Sequence, residues 1–407
     1  MKKINFILLS IFFLSLAFLG TDAYANEIEW TSIEAPAQNA WRAVTYGEGK
    51  FVAVSSNGTN RIMISEDGKN WELAPFTWGG SQWFTGIAYG NGAFVLGNAW
   101  SGNVFYRSTD GGETWTGVPG VPLGSFSGIQ IGDLAFVDDV FVAVDYSRSY
   151  SGKGAYKQIY ISTDGLNWVA KGEEASKYWS GIAYGDGKIV VVGSKNQAAT
   201  DGKHIAVSED KGQTWQYFTA PVAGGGSWTS VAYGNGKFVA ISEDDGAAQD
   251  IIVSSDGKNW TAYSSPDTKA MWEDIAFGNG YFVMVSYDYD NNLSEPGKAV
   301  AISKDGINWE TVDTDPQHGY ISVAYADNKF VAVAFESDDN NRILLGEFPP
   351  QKGSSSNIFG TRFCTAGVTT FCRPQNGFVN NNPLISIYTE LLGLYQQLLS
   401  AMQGQEN

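Results

Sequence analysis

The sequence predicts an all-β fold made of seven four-stranded repeats, and three observations carry that prediction. A hairpin motif recurs seven times, 43 to 49 residues apart, beginning at Tyr46, Tyr89, Phe136, Tyr184, Tyr233, Phe277 and Tyr325. "YGNGKFVAIS" from Tyr233 is a typical copy. A second motif follows each of the first six copies, at 65–71, 108–115, 162–168, 208–215, 254–260 and 303–309, as in "SSDGKNW" and "STDGGETW". The seventh copy has no such partner, but "NEIEWTSIEAP" near the N-terminus carries Trp30 in the setting that the second motif gives its own tryptophan.

Each hairpin motif reads as an inner strand ending in an aromatic, a tight Gly/Asn/Asp turn, and an apolar second strand. An apolar third strand leads into the second motif. A short fourth strand begins at the tryptophan. Four strands repeating with a period in the forties make a propeller blade. The sequence therefore predicts a seven-bladed β-propeller over 26–348. Its first strand, around Trp30, completes the last blade as the outer strand and closes the ring.

Residues 1–25 read as a signal peptide: Lys2 and Lys3, an apolar run, then Ala23-Tyr24-Ala25 before the cut. The expected location is therefore secreted, extracellular or in the cell envelope. "PPQKGSSSN" opens a linker over 349–361. Over 362–407, Cys364 and Cys372 enclose seven residues and are expected to pair as a disulfide in an exported chain. "NNPLISIYTELLGLYQQLLSAM" then reads as an amphipathic helix with Leu384, Ile387, Leu391, Leu394 and Leu398 on one stripe. That stripe offers docking on the propeller, self-association or attachment to an envelope partner. The formal net charge of −17 argues against nucleic acid and anionic membranes as partners.

The second motif, complete at 108–115 and 208–215 as S-x-D-x-G-x-T-W, resembles the Asp-box of the sialidase-like, bacterial-neuraminidase-repeat propellers. The resemblance covers about three quarters of the chain. A motif repeated around a ring is expected to be structural. Asp67, Asp110, Asp164, Asp210, Asp256 and Asp305 should accept backbone N–H bonds within their own turns. These turns share a face with the inner hairpin turns. The loops on the opposite face vary in length and are the expected carriers of function.

The resemblance implies, for an enzyme, three arginines around a carboxylate, a Tyr/Glu nucleophile pair, an Asp acid and a Phe/Tyr-Arg-Ile-Pro motif. The chain has seven arginines, and Arg61 in "NRIM" and Arg342 in "NRIL" lack the proline and the aromatic. Asp133 and Asp274, with Glu273 beside them, fall near the channel axis and are the candidate carboxylates of a glycosidase. Bonding to backbone or to neighbouring blades is their structural alternative. His204 and His318 lie in different blades, too sparse for a zinc site or a triad. No cofactor is expected. Asp288, Asp290 and Asn292 resemble the start of a calcium loop but lack its glycine and glutamate. Asp244, Asp245, Asp338 and Asp339 read as solvated acidic loops.

Trp41, Trp179, Trp228, Trp272, Phe84 and Tyr320 share one column at the start of the inner strands. They are expected either as an aromatic ring toward the channel mouth or as packing between blades. Trp78, Trp83, Trp100, Tyr146, Tyr150 and Tyr156 fit no repeat slot and are the candidate ligand-binding residues, for sugar or protein. The functional expectation is a secreted, non-catalytic scaffold binding a glycan or protein ligand on the variable loop face. The alternative is a sialidase-like glycoside hydrolase. A third reading is similarity to the photosystem II assembly propellers; it implies an arginine-rich patch that this acidic chain lacks.

Overall fold

The computed structural model describes residues 28–349, apart from 79–81, 100–102, 120–129, 147–156, 175–177, 195–201, 223–225, 244–248, 268, 288–298, 315–318 and 336–339. Among the described residues, 28 strands form seven four-stranded sheets, and every strand pair is antiparallel. The leader, the linker, Cys364, Cys372 and the C-terminal helix lie outside the described residues.

Blades one to six span 41–73, 83–117, 131–174, 178–219, 228–263 and 271–312, each in simple chain order from the inner strand outward. Every inner hairpin turns on two consecutive residues of positive φ, such as Asn235 (47°) and Gly236 (75°). This is the turn whose twist matches paired strands. Blade three makes the same turn from Asp138 and Asp139.

The seventh blade is assembled from both ends of the propeller. Glu29–Ile33 pairs with Ile343–Glu347, running from Glu29 opposite Glu347 to Ile33 opposite Ile343. Trp30 sits 6.4 Å from the Phe330 ring. Trp71 and Phe51 in blade one are 6.5 Å apart, so Trp30 fills the same slot.

The six Ser-x-Asp turns fasten the third strand to the fourth. In blade one, Asp67 Oδ1 accepts bonds from the N–H groups of Lys69 and Asn70, both at 2.8 Å, and Oδ2 accepts from Asn70 Nδ2 at 2.7 Å. The N–H groups of Asn70 and then Lys69 hold the Asp67 carboxyl well below the usual carboxylate range. Gly68 N–H donates to Ser65 Oγ, and Trp71 Nε1 donates to the Gly68 carbonyl. The longer turns of blades two and four fit one more residue by placing it at positive φ, Gly111 at 75° and Lys211 at 58°.

The core is divided into seven apolar clusters, each lying between one blade and the next. The column of large aromatics at the start of the inner strands belongs here. Trp41 packs with Val331, Val333 and Leu345 of blade seven, and Trp272 packs with Val239 and Ile241 of blade five. Trp41, Phe84, Trp228, Trp272 and Tyr320 are fully buried and Trp179 nearly so. Of the two readings the sequence left open for this column, packing between blades is the one the structure shows. Side chains alternate along a strand, so these rings face the preceding blade and their neighbours face the axis.

Candidate functional site

All seven inner strands carry a β-bulge at the same place. The register shifts fall between Trp41 and Ala43, Phe84 and Gly86, Ile131 and Asp133, Trp179 and Gly181, Trp228 and Ser230, Trp272 and Asp274, and Tyr320 and Ser322. A bulge leaves one residue out of the ladder and re-aims its side chain. The seven bulged residues are Arg42, Thr85, Gly132, Ser180, Thr229, Glu273 and Ile321, and all seven line one cavity of about 830 Å³. The inner strands start on the variable-loop face, so the bulges mark that end of the channel.

A second ring lies at the same end, where the second strands finish. Ala99, Tyr146, Ser194, Glu243, Tyr287 and Phe335 line the cavity from equivalent positions. Ser56 holds the seventh such position and accepts a bond from Arg42 Nε at 3.4 Å. The Arg42 guanidinium lies 3.9 Å from the centre of the Phe335 ring and 5.6 Å from that of Trp83. The rings of Tyr287 and Phe335 meet edge-on at 6.1 Å.

Three bulged residues tie one blade to the next. Thr85, Ser180 and Thr229 donate their hydroxyls to the carbonyls of Ile131, Trp228 and Trp272. Gly132 has no space for a side chain: a Cβ there would lie 2.5 Å from the Trp179 carbonyl oxygen. Glu273 stands where the hydroxyls stand but has no hydrogen-bond partner among the described residues.

Asp133 and Asp274 do share a column facing the channel, one residue beyond the bulges, and both act as straps. Asp133 Oδ1 accepts from Leu134 N–H at 2.7 Å, and its Oδ2 accepts from Ile182 N–H of the next blade at 2.9 Å. Asp274 Oδ1 accepts from Ser230 Oγ at 2.7 Å and Ile275 N–H at 2.9 Å, and its Oδ2 accepts from Val323 N–H at 2.8 Å. Ser322 Oγ does the same for Val44 N–H. Removal from water pushes Asp133 up to about 7, with the charge of Asp274 adding to the effect. Burial also raises Asp274. Glu273 is pushed up to about 8 by desolvation and then by Glu243, with Arg42 acting the other way. A glycosidase needs an acid and a second carboxylate free to meet substrate or water. Here both aspartates are committed to the backbone of a neighbouring blade.

The other candidate residues divide. Trp83 stands on the rim, 40% exposed, and Tyr146 lines the cavity with its ring 5.5 Å from that of Tyr178. Trp78 turns inward instead, packing edge-on against Phe76, Phe84 and Tyr106 at 4.5–5.0 Å. Trp100, Tyr150 and Tyr156 lie outside the described residues, as do His318, the "DYDNN" loop and Asp244, Asp245, Asp338 and Asp339. His204 is buried in blade four. Arg61 donates to the Gly58 carbonyl, and Arg342 to those of Asn39 and Phe335. Both are held by backbone, which does not build a carboxylate clamp. Among the described residues, no three His, Cys, Asp or Glu side chains group to hold a metal ion.

Tyr287, Phe335, Glu243 and Arg42 were not singled out by the sequence. For Arg42 the signal was present but lay in register, whereas the other three stand at the ends of second strands, outside the repeated motifs. The triplets "WRA", "FTG", "IGD", "WSG", "WTS", "WED" and "YIS" align at the bulge, and the middle letter is the channel residue.

No protein-family model matches the sequence, and no curated protein sequence matches it. Solved structures match in shape. "YCF48 bound to D1 peptide" has a TM-score of 0.56 at 16% identity, covering 79% of this chain and 97% of that one. Virginiamycin B lyase from Staphylococcus aureus has a TM-score of 0.57 at 12% identity, covering 79% and 99%. The WD40 β-propeller domain of Doa1 has a TM-score of 0.55 at 14% identity, covering 79% and 98%. At these identities the likeness is one of fold: the chain is a seven-bladed β-propeller.

Proposed function

We propose that this chain is a secreted, non-catalytic propeller that binds a protein or peptide at the channel mouth on its variable-loop face. One observation carries the reading. A single cavity gathers Trp83, Tyr146, Tyr287 and Phe335 with the ionisable groups of Arg42, Glu243 and Glu273. Aromatics beside a few placed charges suit recognition. The bound peptide in the YCF48 structure supports a protein ligand. The leader-like first 25 residues support export. The repeated Ser-x-Asp turns support kinship with the Asp-box propellers, whose enzymes supply the alternative, a glycosidase. The strap roles of Asp133 and Asp274 weigh against that alternative.

The test presents the mature chain to a displayed peptide library and to a glycan array. Tyr146→Ala and Tyr287→Ala should each weaken the selected peptides about tenfold, the loss expected of a contact worth about 1.4 kcal/mol. Melting temperature should hold. Glycan-only binding, glycan cleavage, or peptide binding indifferent to both substitutions would overturn the reading.

A further inference from the structure

Resting on that reading, we infer that the ligand is a basic segment of a protein partner, with an arginine or lysine side chain entering the channel between Tyr287, Glu243 and Glu273.

Four features of the mouth point the same way. The first is charge. Arg42 faces Asp133, Glu243, Glu273 and Asp274, so among the described lining residues carboxyl groups outnumber bases four to one, and an entering cation favours the ionised form of those that burial holds protonated. The chain as a whole, at −17, draws cationic partners toward itself. The second is Glu273. Its counterparts Thr85, Ser180 and Thr229 spend their polar groups closing the ring, whereas Glu273 closes nothing. Glu273 is half-buried in the open lining, so its carboxyl stands where an entering group can reach it. The third is the company it keeps. Arg42 already lies on the face of Phe335, which shows that this rim accepts a guanidinium over an aromatic ring. Tyr287, edge-on to Phe335, offers a further ring beside the two glutamates. The fourth is size. About 830 Å³ holds a long side chain with its aliphatic stem against the rings and its charge among the acids.

Proton linkage follows from the same arrangement. The groups facing Glu273 are Arg42 of blade one, Glu243 of blade five and Asp274 beside it. Glu273, among Glu243, Arg42 and Asp274, is pushed up to about 8 and so holds a proton near neutrality. An arriving cation favours the ionised form and expels that proton. Affinity for a permanently charged arginine should therefore rise with pH.

The probe is a pair of labelled glycine-serine heptapeptides, one with a central Arg-Arg and one with Gln-Gln, titrated into the full chain by fluorescence polarisation. The Arg peptide should bind at least tenfold more tightly, and about tenfold more tightly at pH 8.5 than at pH 6. Glu273→Gln and Glu243→Gln should each reduce it toward the Gln peptide, and Glu273→Gln should flatten the pH dependence. The melting temperature of Glu273→Gln at pH 6 should match the parent, because Glu273 is protonated there. Equal binding of the two peptides, no binding of either, or full Arg binding by both glutamine variants overturns the inference. The library selection separates the two levels. Mouth-dependent ligands without basic residues remove the cation and leave the binding site; absence of any mouth-dependent ligand removes both.

Discussion

Asp133 and Asp274 carry their carboxyls into the seam between one blade and the next, and each is raised by burial. Removal from water, helped by the charge of Asp274, pushes the Asp133 carboxyl up to about 7 from an ordinary value of 3.8. The folded chain therefore binds this proton more tightly than the unfolded chain does. Its favourable effect is full below about pH 4 and is lost as pH rises through 7. Replacing Asp133 by Asn keeps one acceptor oxygen and removes the charge. One of the two N–H bonds is lost at every pH, but the melting temperature of the variant should rise relative to that of the parent between pH 5 and pH 8. Thermal melts at the two values decide this; a difference that does not shift in the variant's favour refutes it. The sequence placed both aspartates near the axis but left their role open between acid catalysis and bonding to a neighbouring blade. Asp133 reaches Ile182 and Asp274 reaches Val323, each 49 residues ahead, and only the ring brings such partners together.

The inner strands dock on one another through a glycine and an aromatic. A Cβ on Gly278 would lie 1.9 Å from Cγ of Tyr325 in the next blade, and Gly47, Gly90, Gly185 and Gly234 meet Tyr89, Phe136, Tyr233 and Phe277 at 2.0–2.1 Å. Blade three has Val137 in the glycine position. The aromatic of the following blade, Tyr184, is correspondingly 37% exposed, whereas its counterparts stay half-buried. Gly278→Ala should cost about 1–3 kcal/mol by overpacking and lower the melting temperature by several degrees. The same change at Gly280, where a Cβ meets nothing within 4 Å, isolates the strain of its φ of 84° from the clash. If the Gly278 variant melts with the parent, the contact is not holding the blades. The hairpin motif was legible because its turn residues are local. The bulge beside it was not, because a bulge is a relation between two strands.

The ring closes at one seam only by joining chain ends more than 300 residues apart, Glu29 against Glu347. Without the first strand, Ile343–Glu347 would be an open edge and blade seven would lose Trp30 from over Phe330 and Gly346. Trp30→Ala should lower stability by about 3 kcal/mol, as truncation of a packed tryptophan does elsewhere. Deleting 28–33 should go further and broaden the melt or drive association through the bare edge. Calorimetry with size-exclusion chromatography reads both, and a sharp, unshifted melt of a monomer would contradict the closure.

Repetition is a property of the sequence, and it determined the blade count, the strands within a blade, the turns between them and the displaced seventh tryptophan. Each of these depends on local chemistry repeated from blade to blade: two positive-φ residues in seven hairpin turns, an aspartate answering its own turn in six, a tryptophan in each outer strand or opening it. The candidate site depends on the opposite, on what differs between repeats. Arg42, Glu243, Glu273, Tyr287 and Phe335 come from four blades and become neighbours only when the ring closes. Which member of an adjacent pair faces the axis is set by the bulge and by packing against the preceding blade. Tertiary structure alone decided that Trp41 and Trp272 build the core while Arg42 and Glu273, one residue further on, line the channel.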